Sequence, residues 1–112
     1  MPKGGAFIAV NGPFLVHDQG GDVKIGFRVE PRYCNPMGIC HGGMLASFCD
    51  MLLPVTAHRV SAEVGRRFLP TVSLQVDYLA PVPLGAWVEG EAQPPPGRRT
   101  RTTRLLLSFC TC

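Results

Sequence analysis

Four residue types at fixed offsets carry the chemistry this chain can offer: Asn35, the triplet His41-Gly42-Gly43, and Asp50. From Gly43 to Ala57 no charged side chain other than Asp50 interrupts a largely apolar stretch. A lone carboxylate there needs a partner or a function, because desolvation penalises its ionised form. The glycine pair ahead of it lets the backbone approach a ligand and stands where a helix would present unsatisfied N–H groups. An acid facing an oxyanion site is what such a pattern suggests. Attack at a carbonyl needs a donor where negative charge develops and a base or nucleophile opposite. A helix N-terminus supplies the donor, helped by the helix dipole, and a carboxylate two turns along supplies the base.

The elements that must position these groups follow from periodicity. Val23, Ile25, Phe27 and Val29 alternate with Asp22, Lys24, Gly26, Arg28 and Glu30, which predicts a strand over Asp22–Glu30 with one buried and one wet face. Phe14–His17 reads as the preceding strand, joined through the turn Asp18-Gln19-Gly20-Gly21. Residues 1–13 are rich in Gly and Pro and are expected to pack loosely, apart from Phe7, Ile8 and Val10. Pro31 and Pro36 bracket a loop, and Gly43 to about Val60 reads as a helix apolar nearly all round, hence buried. Pro54 is expected to kink that helix or end its regular part. Thr71–Ala80, Ala86–Gln93 and Arg104–Thr111 read as strands, the first two separated by Pro81-Val82-Pro83-Leu84-Gly85. The sum is an α+β pattern, an antiparallel sheet around one helix.

Composition narrows the classes. A chain of 112 residues holds one domain, and we take 1–112 as a single unit. With 46% hydrophobic and only 17% charged residues, it is apolar for its size, which predicts surface buried against another subunit. A net charge of +3 is too mild to imply nucleic acid but leaves room for an anionic small ligand. Cys34, Cys40, Cys49, Cys110 and Cys112 make an odd set without a secreted framework, so reduced thiols in the cytoplasm are expected. No apolar run reaches the roughly 18 residues of a membrane span, and no membrane partner is expected.

Asn35, Gly38, His41-Gly42-Gly43 and Asp50, with Thr71 and the later Tyr78-Leu79-Ala80-Pro81-Val82-Pro83-Leu84-Gly85, resemble the hot-dog-fold acyl-CoA thioesterases of the phenylacetate-pathway type. The match covers about residues 14–93. The resemblance implies a curved antiparallel sheet wrapped around one helix, subunits joined edge to edge, and a dimer or tetramer. It also implies hydrolysis of an acyl-CoA thioester without metal or cofactor, coenzyme A being part of the substrate. By position, Asp50 would be general base or nucleophile, and the Gly42 N–H would point at the thioester oxygen. Asn35 would orient the attacking water or the carbonyl, and Thr71 would reach the site from the other subunit. Beyond Gln93, where the resemblance implies a longer strand, a hairpin and another strand, the pattern departs: Pro94-Pro95-Pro96 and an Arg/Thr run predict a last strand that is foreshortened or replaced.

Plainer readings stand beside these. His41 either shapes the loop and caps the helix or takes part in the chemistry directly, and Gly42 and Gly43 either form the oxyanion site or only a tight turn. Arg66 and Arg67 are either solvated or receive the phosphates of coenzyme A. Cys34, Cys40, His41 and Cys49 match none of the usual closely spaced metal-ligand pairs, so no metal is expected. Two rival functions remain: a hot-dog enoyl-CoA hydratase or dehydratase using His41 with Asp50, and a non-catalytic acyl-CoA binding module.

Overall fold

Val23, Ile25, Phe27 and Val29 point to one side of an extended chain, and covering that side organises the rest of the fold. In the computed structural model, which describes residues 5–20, 22–60, 74–93 and 104–110, all four are buried. Strand β1 (Leu15–Gln19) pairs antiparallel with β2 (Asp22–Arg28), closing at Gln19↔Asp22. The expected four-residue turn is tighter than its composition suggests. Asp18 and Gln19 stay in the ladder, and the chain turns at Gly20 with φ +64, a conformation glycine adopts without penalty.

Strand β3 (Trp87–Gln93) lies against β2, and β4 (Arg104–Cys110) against β3, giving an antiparallel sheet of order β1-β2-β3-β4. The β3–β4 register runs from Trp87↔Cys110 to Gln93↔Arg104, so both strands pair along their full seven residues. The last strand, expected over Arg104–Thr111, is thus present at Arg104–Cys110. The proline break precedes it in the chain rather than cutting into its pairing.

The outward side of β2 is drier than the alternation predicts. A Cβ on Gly26 would meet the Trp87 ring at 2.3 Å, so only glycine lets that indole lie across the strand. The Arg28 guanidinium covers the same ring, 5.3 Å from its centroid.

Helix α2 (Gly42–Val60) lies on the inner face of the sheet. Met44, Leu45, Phe48, Cys49 and Leu52 are buried, and Val55 packs against the same core. Phe48 meets Phe27 at 4.8 Å and Phe14 at 5.2 Å between ring centroids, and Phe27 meets Tyr33 edge-on at 5.5 Å. The helix is not buried all round. Asp50 and Met51 are half-buried and Leu53 is exposed, because one sheet covers one side of a helix. Nor does Pro54 end it. The helix runs on to Val60, losing only the donor that would have reached the Asp50 carbonyl.

Two expectations on the flanks are corrected. Gly5–Asn11 forms a short helix, α1, where no element was expected; none of its residues is buried, and Phe7 and Val10, expected to pack, are exposed. Its last turn is held from within by Asn11 Nδ2 donating to Phe7 O at 3.0 Å, and from without by Arg32, which donates to the carbonyls of Val10 and Gly12. Residues 74–80 form no strand, although 71–80 alternate suitably; Leu74, Tyr78 and Leu79 are exposed. They pair with no strand among the described residues, so they have no ladder hydrogen bonds there. No helix among the described residues is long and apolar enough to cross a membrane.

Candidate functional site

The loop ahead of α2 is a small hairpin. A 3-10 turn (Pro31–Tyr33) leads into the isolated antiparallel bridge Cys34↔Cys40, and between the two cysteines the chain reverses at Gly38, φ +77. Asn35 builds this reversal. Its Oδ1 accepts from the amides of Met37 (2.9 Å) and Ile39 (3.4 Å), and its carbonyl accepts from Gly38 N–H at 3.0 Å. With the oxygen committed, what Asn35 can offer a ligand is its NH2 group. The hairpin is stitched to the later proline segment by Cys40 N–H donating to Val82 O (2.7 Å) and by the bridge Ile39↔Pro83.

Helix α2 begins at once after His41, and accounting for its first N–H groups singles one out. Gly43 N–H donates to His41 Nδ1 at 2.8 Å, while the Met44 and Leu45 amides share the His41 carbonyl at 3.0 and 3.2 Å. The Gly42 N–H makes no hydrogen bond among the described residues. His41 is thus the cap of the helix, its Nδ1 occupied as an acceptor.

The Gly42 carbonyl is also held. Tyr78 Oη donates to it at 2.6 Å across 36 positions of sequence, with the tyrosine ring lying over the Gly42 Cα. The peptide linking Gly42 to Gly43 is therefore gripped at both polar atoms, its oxygen by Tyr78 and its N–H by His41. Tyr78 was not singled out as a site residue in the sequence, since an aromatic in an alternating stretch reads as packing. Only its long-range bond marks it.

Asn35, Gly42, Leu45, Tyr78 and Val82 line a pocket of about 320 Å³. A second pocket, also of about 320 Å³, is lined by Arg32, Cys34, His41, Gly43 and Ser47. So the structure brings Asn35 together with Gly42, and His41 with Gly43. Asp50 lines neither pocket; it is half-buried two turns further along α2. Thr71, Arg66 and Arg67 lie outside the described residues. Burial raises the thiol of Cys40 to about 11, with Cys34 adding to the rise, and raises that of Cys49, with neighbouring Asp50 adding to it. Among the described residues no three His, Cys, Asp or Glu side chains come together as a metal shell.

Comparison with known proteins bears on this arrangement. The sequence model of the thioesterase superfamily matches residues 37–103, more than half of the chain and the whole stretch from Gly38 to the start of the break after β3. A Pseudomonas aeruginosa protein named as a candidate esterase is 30% identical over 79 residues, 70% of this chain. The chain spans 58% of that relative's length. Among solved structures, a variant of the phenylacetic acid degradation protein PaaI from Thermus thermophilus superposes with a TM-score of 0.59 at 22% identity, covering 92% of this chain and 85% of that one. A hypothetical thioesterase from Streptococcus pneumoniae, solved with coenzyme A, superposes with a TM-score of 0.60 at 19% identity over 92% of this chain and 82% of that one. The helix laid on an antiparallel sheet is thus the hot-dog fold, and, with its helix-opening glycines inside the matched stretch, this chain belongs to the thioesterase superfamily.

Proposed function

We propose that the protein hydrolyses acyl-CoA thioesters to the free acid and coenzyme A. The observation that carries this reading is the Gly42 N–H: it opens a helix, it lines a pocket beside Asn35, and it alone of the first four amides makes no hydrogen bond among the described residues. A thioester carbonyl set against it would have its developing negative charge met by that N–H and the helix dipole. The Asn35 NH2 group serves as a second donor, to the carbonyl or to the attacking water.

Asp50 acts as general base or nucleophile. As base, it takes a proton from water while the water oxygen bonds to the carbonyl carbon; the C–S bond then breaks, and the proton passes to the departing thiolate. Gly42 and Asp50 are eight residues apart, about 12 Å along the helix axis. That separation favours a site in which the carboxylate comes from a second copy of the chain. Self-association as a dimer or tetramer is part of this reading, with Thr71 of one chain meeting Asp50 of the other and Arg66 or Arg67 receiving the coenzyme A phosphates. The pneumococcal structure solved with coenzyme A supports this ligand class. The reaction draws on no cofactor, and it suits the cytoplasm, where acyl-CoA and reduced thiols coexist.

Tyr78 is a positioning residue in this scheme. Two successive glycines make a pliant helix start, and the Tyr78 and His41 bonds hold the peptide between them, which anchors Gly42 on its C-terminal side and limits the swing of its own N–H. With Nδ1 of His41 occupied in capping the helix, the hydratase reading would have only Nε2 of that imidazole to work with. A panel of acyl-CoA substrates with free-thiol detection tests the proposal. Thiol release from a saturated acyl-CoA is expected; coenzyme A binding without release, or hydration of an enoyl-CoA alone, would replace it by one of the rival readings.

A further inference from the structure

Five residues separate Cys34 from Cys40, and the backbone folds one directly across from the other. They are partners in an antiparallel bridge, and the hydrogen bonds beside them define its type. Asn35 N–H donates to Ile39 O at 2.9 Å, and His41 N–H to Tyr33 O at 2.7 Å. Both bonds join the residues flanking the cysteines rather than the cysteines themselves. Cys34 and Cys40 are thus a non-hydrogen-bonded pair, the kind in which Cα atoms stand about 4.5 Å apart and the side chains lie close together on one face. A disulfide requires a Cα separation of roughly 4.4–6.8 Å, so closing one here needs rotation of side chains and little movement of backbone.

The two thiols differ in access. Both are free. Cys34 is half-buried and lines the second pocket, where a solute can reach it, whereas Cys40 belongs to the core and is 5% exposed. From this geometry we infer that Cys34 and Cys40 form a site of reversible thiol oxidation that takes a small-molecule disulfide of the glutathione type as its oxidant. The Cys34 thiolate attacks one sulfur of glutathione disulfide, expelling one glutathione thiolate and leaving a mixed disulfide. The Cys40 sulfur then attacks the Cys34 sulfur, expelling the second glutathione. Two protein thiols are oxidised, one glutathione disulfide is reduced to two thiols, and the two protons leave the cysteines for the glutathiones. The closed ring encloses Asn35 and Gly38 and ends one residue before His41, so it fixes the loop that carries the candidate donors. The inference itself stands on the bridge and is independent of the thioesterase reading.

Burial of Cys40 makes its thiolate scarce at neutral pH, so ring closure is the slow step and accelerates as pH rises. The test uses the intact reduced protein, incubated with glutathione disulfide at pH 7 and pH 9, alkylated with N-ethylmaleimide, digested and read by mass spectrometry. A peptide cross-linked between Cys34 and Cys40, lighter by two hydrogens, reversible by dithiothreitol and formed several-fold faster at pH 9, is expected. In Cys40→Ser the reaction is expected to stop at a glutathione adduct on Cys34. An unmutated protein in which the Cys34 adduct persists unclosed at pH 9, or in which Cys40 links chiefly to Cys49, Cys110 or Cys112, would overturn the assignment.

Discussion

The hydroxyl of Tyr78 donates to the carbonyl of Gly42 at 2.6 Å, tying an exposed irregular segment to the first residue of the only long helix described. Removing that hydroxyl tests whether the bond aims the Gly42 amide. Tyr78→Phe keeps the ring over Gly42, and its kcat for thioester hydrolysis is expected to fall about tenfold, the loss of roughly one hydrogen bond's net contribution, with KM within about twofold. Unchanged kcat in a protein whose wild type is active would leave Tyr78 a packing residue only.

Asp50→Asn should keep the fold, since the side chain is half-buried and nearly isosteric, while thioester turnover drops by at least about a hundredfold. Circular dichroism and thiol release measured together separate a lost base from a lost fold. Turnover near that of the wild type would remove Asp50 from the mechanism.

If Asp50 reaches the site of a second copy, eight residues and about 12 Å of helix from Gly42, chains carrying different substitutions should complement each other. Asp50→Ala and Asn35→Ala chains, each impaired alone, are expected to regain up to about half the wild-type activity per mixed dimer when refolded together, because one of its two sites then contains neither substitution. Proven subunit exchange without rescue would put Asn35 and Asp50 of one chain in the same site.

The two glycines of the helix start should respond differently to a methyl group. A Cβ on Gly42 meets the Tyr78 ring at 3.4 Å, an ordinary contact, whereas a Cβ on Gly43 meets His41 Nδ1 at 3.0 Å and crowds the capping imidazole. Gly42→Ala is therefore expected to gain up to about 1 kcal/mol from helix propensity, and Gly43→Ala to gain less or lose. Urea unfolding of the pair decides the matter; equal stabilisation would argue that His41 does not cap the helix.

Alkaline stability follows from Cys40. Its thiol is raised from 9.0 to about 11 in the fold, so the unfolded chain ionises first. The stability it contributes is full below pH 9 and is lost between pH 9 and about 11, on the order of 2–3 kcal/mol for a shift of that size. Urea titrations under reducing conditions should show a shallower decline in Cys40→Ala than in the wild type. Identical declines would assign the effect to Cys49 or Tyr33, whose raised values point the same way.

Much of the scaffold was legible because local patterns decided it. Strict alternation set β2, and the His41-Gly42-Gly43 triplet set the start of α2 within one residue. What escaped depended on partners remote in sequence. Residues 5–11 hide a helix among glycines, its Val10 carbonyl and that of Gly12 just beyond it held by Arg32. The alternation through 74–80 promised a strand, but periodicity cannot say whether a neighbouring edge exists. Tyr78 and the Cys34↔Cys40 pairing were likewise unreadable, the first because its partner lies 36 residues away, the second because spacing alone does not reveal a hairpin.

The chain has one tryptophan, and its indole lies across Gly26 under the Arg28 guanidinium, on the side of the sheet turned away from α2. Trp87 lines neither pocket. Its intrinsic fluorescence is consequently a gauge of the β2–β3 ladder rather than of either pocket, a single-residue reporter for unfolding of the sheet.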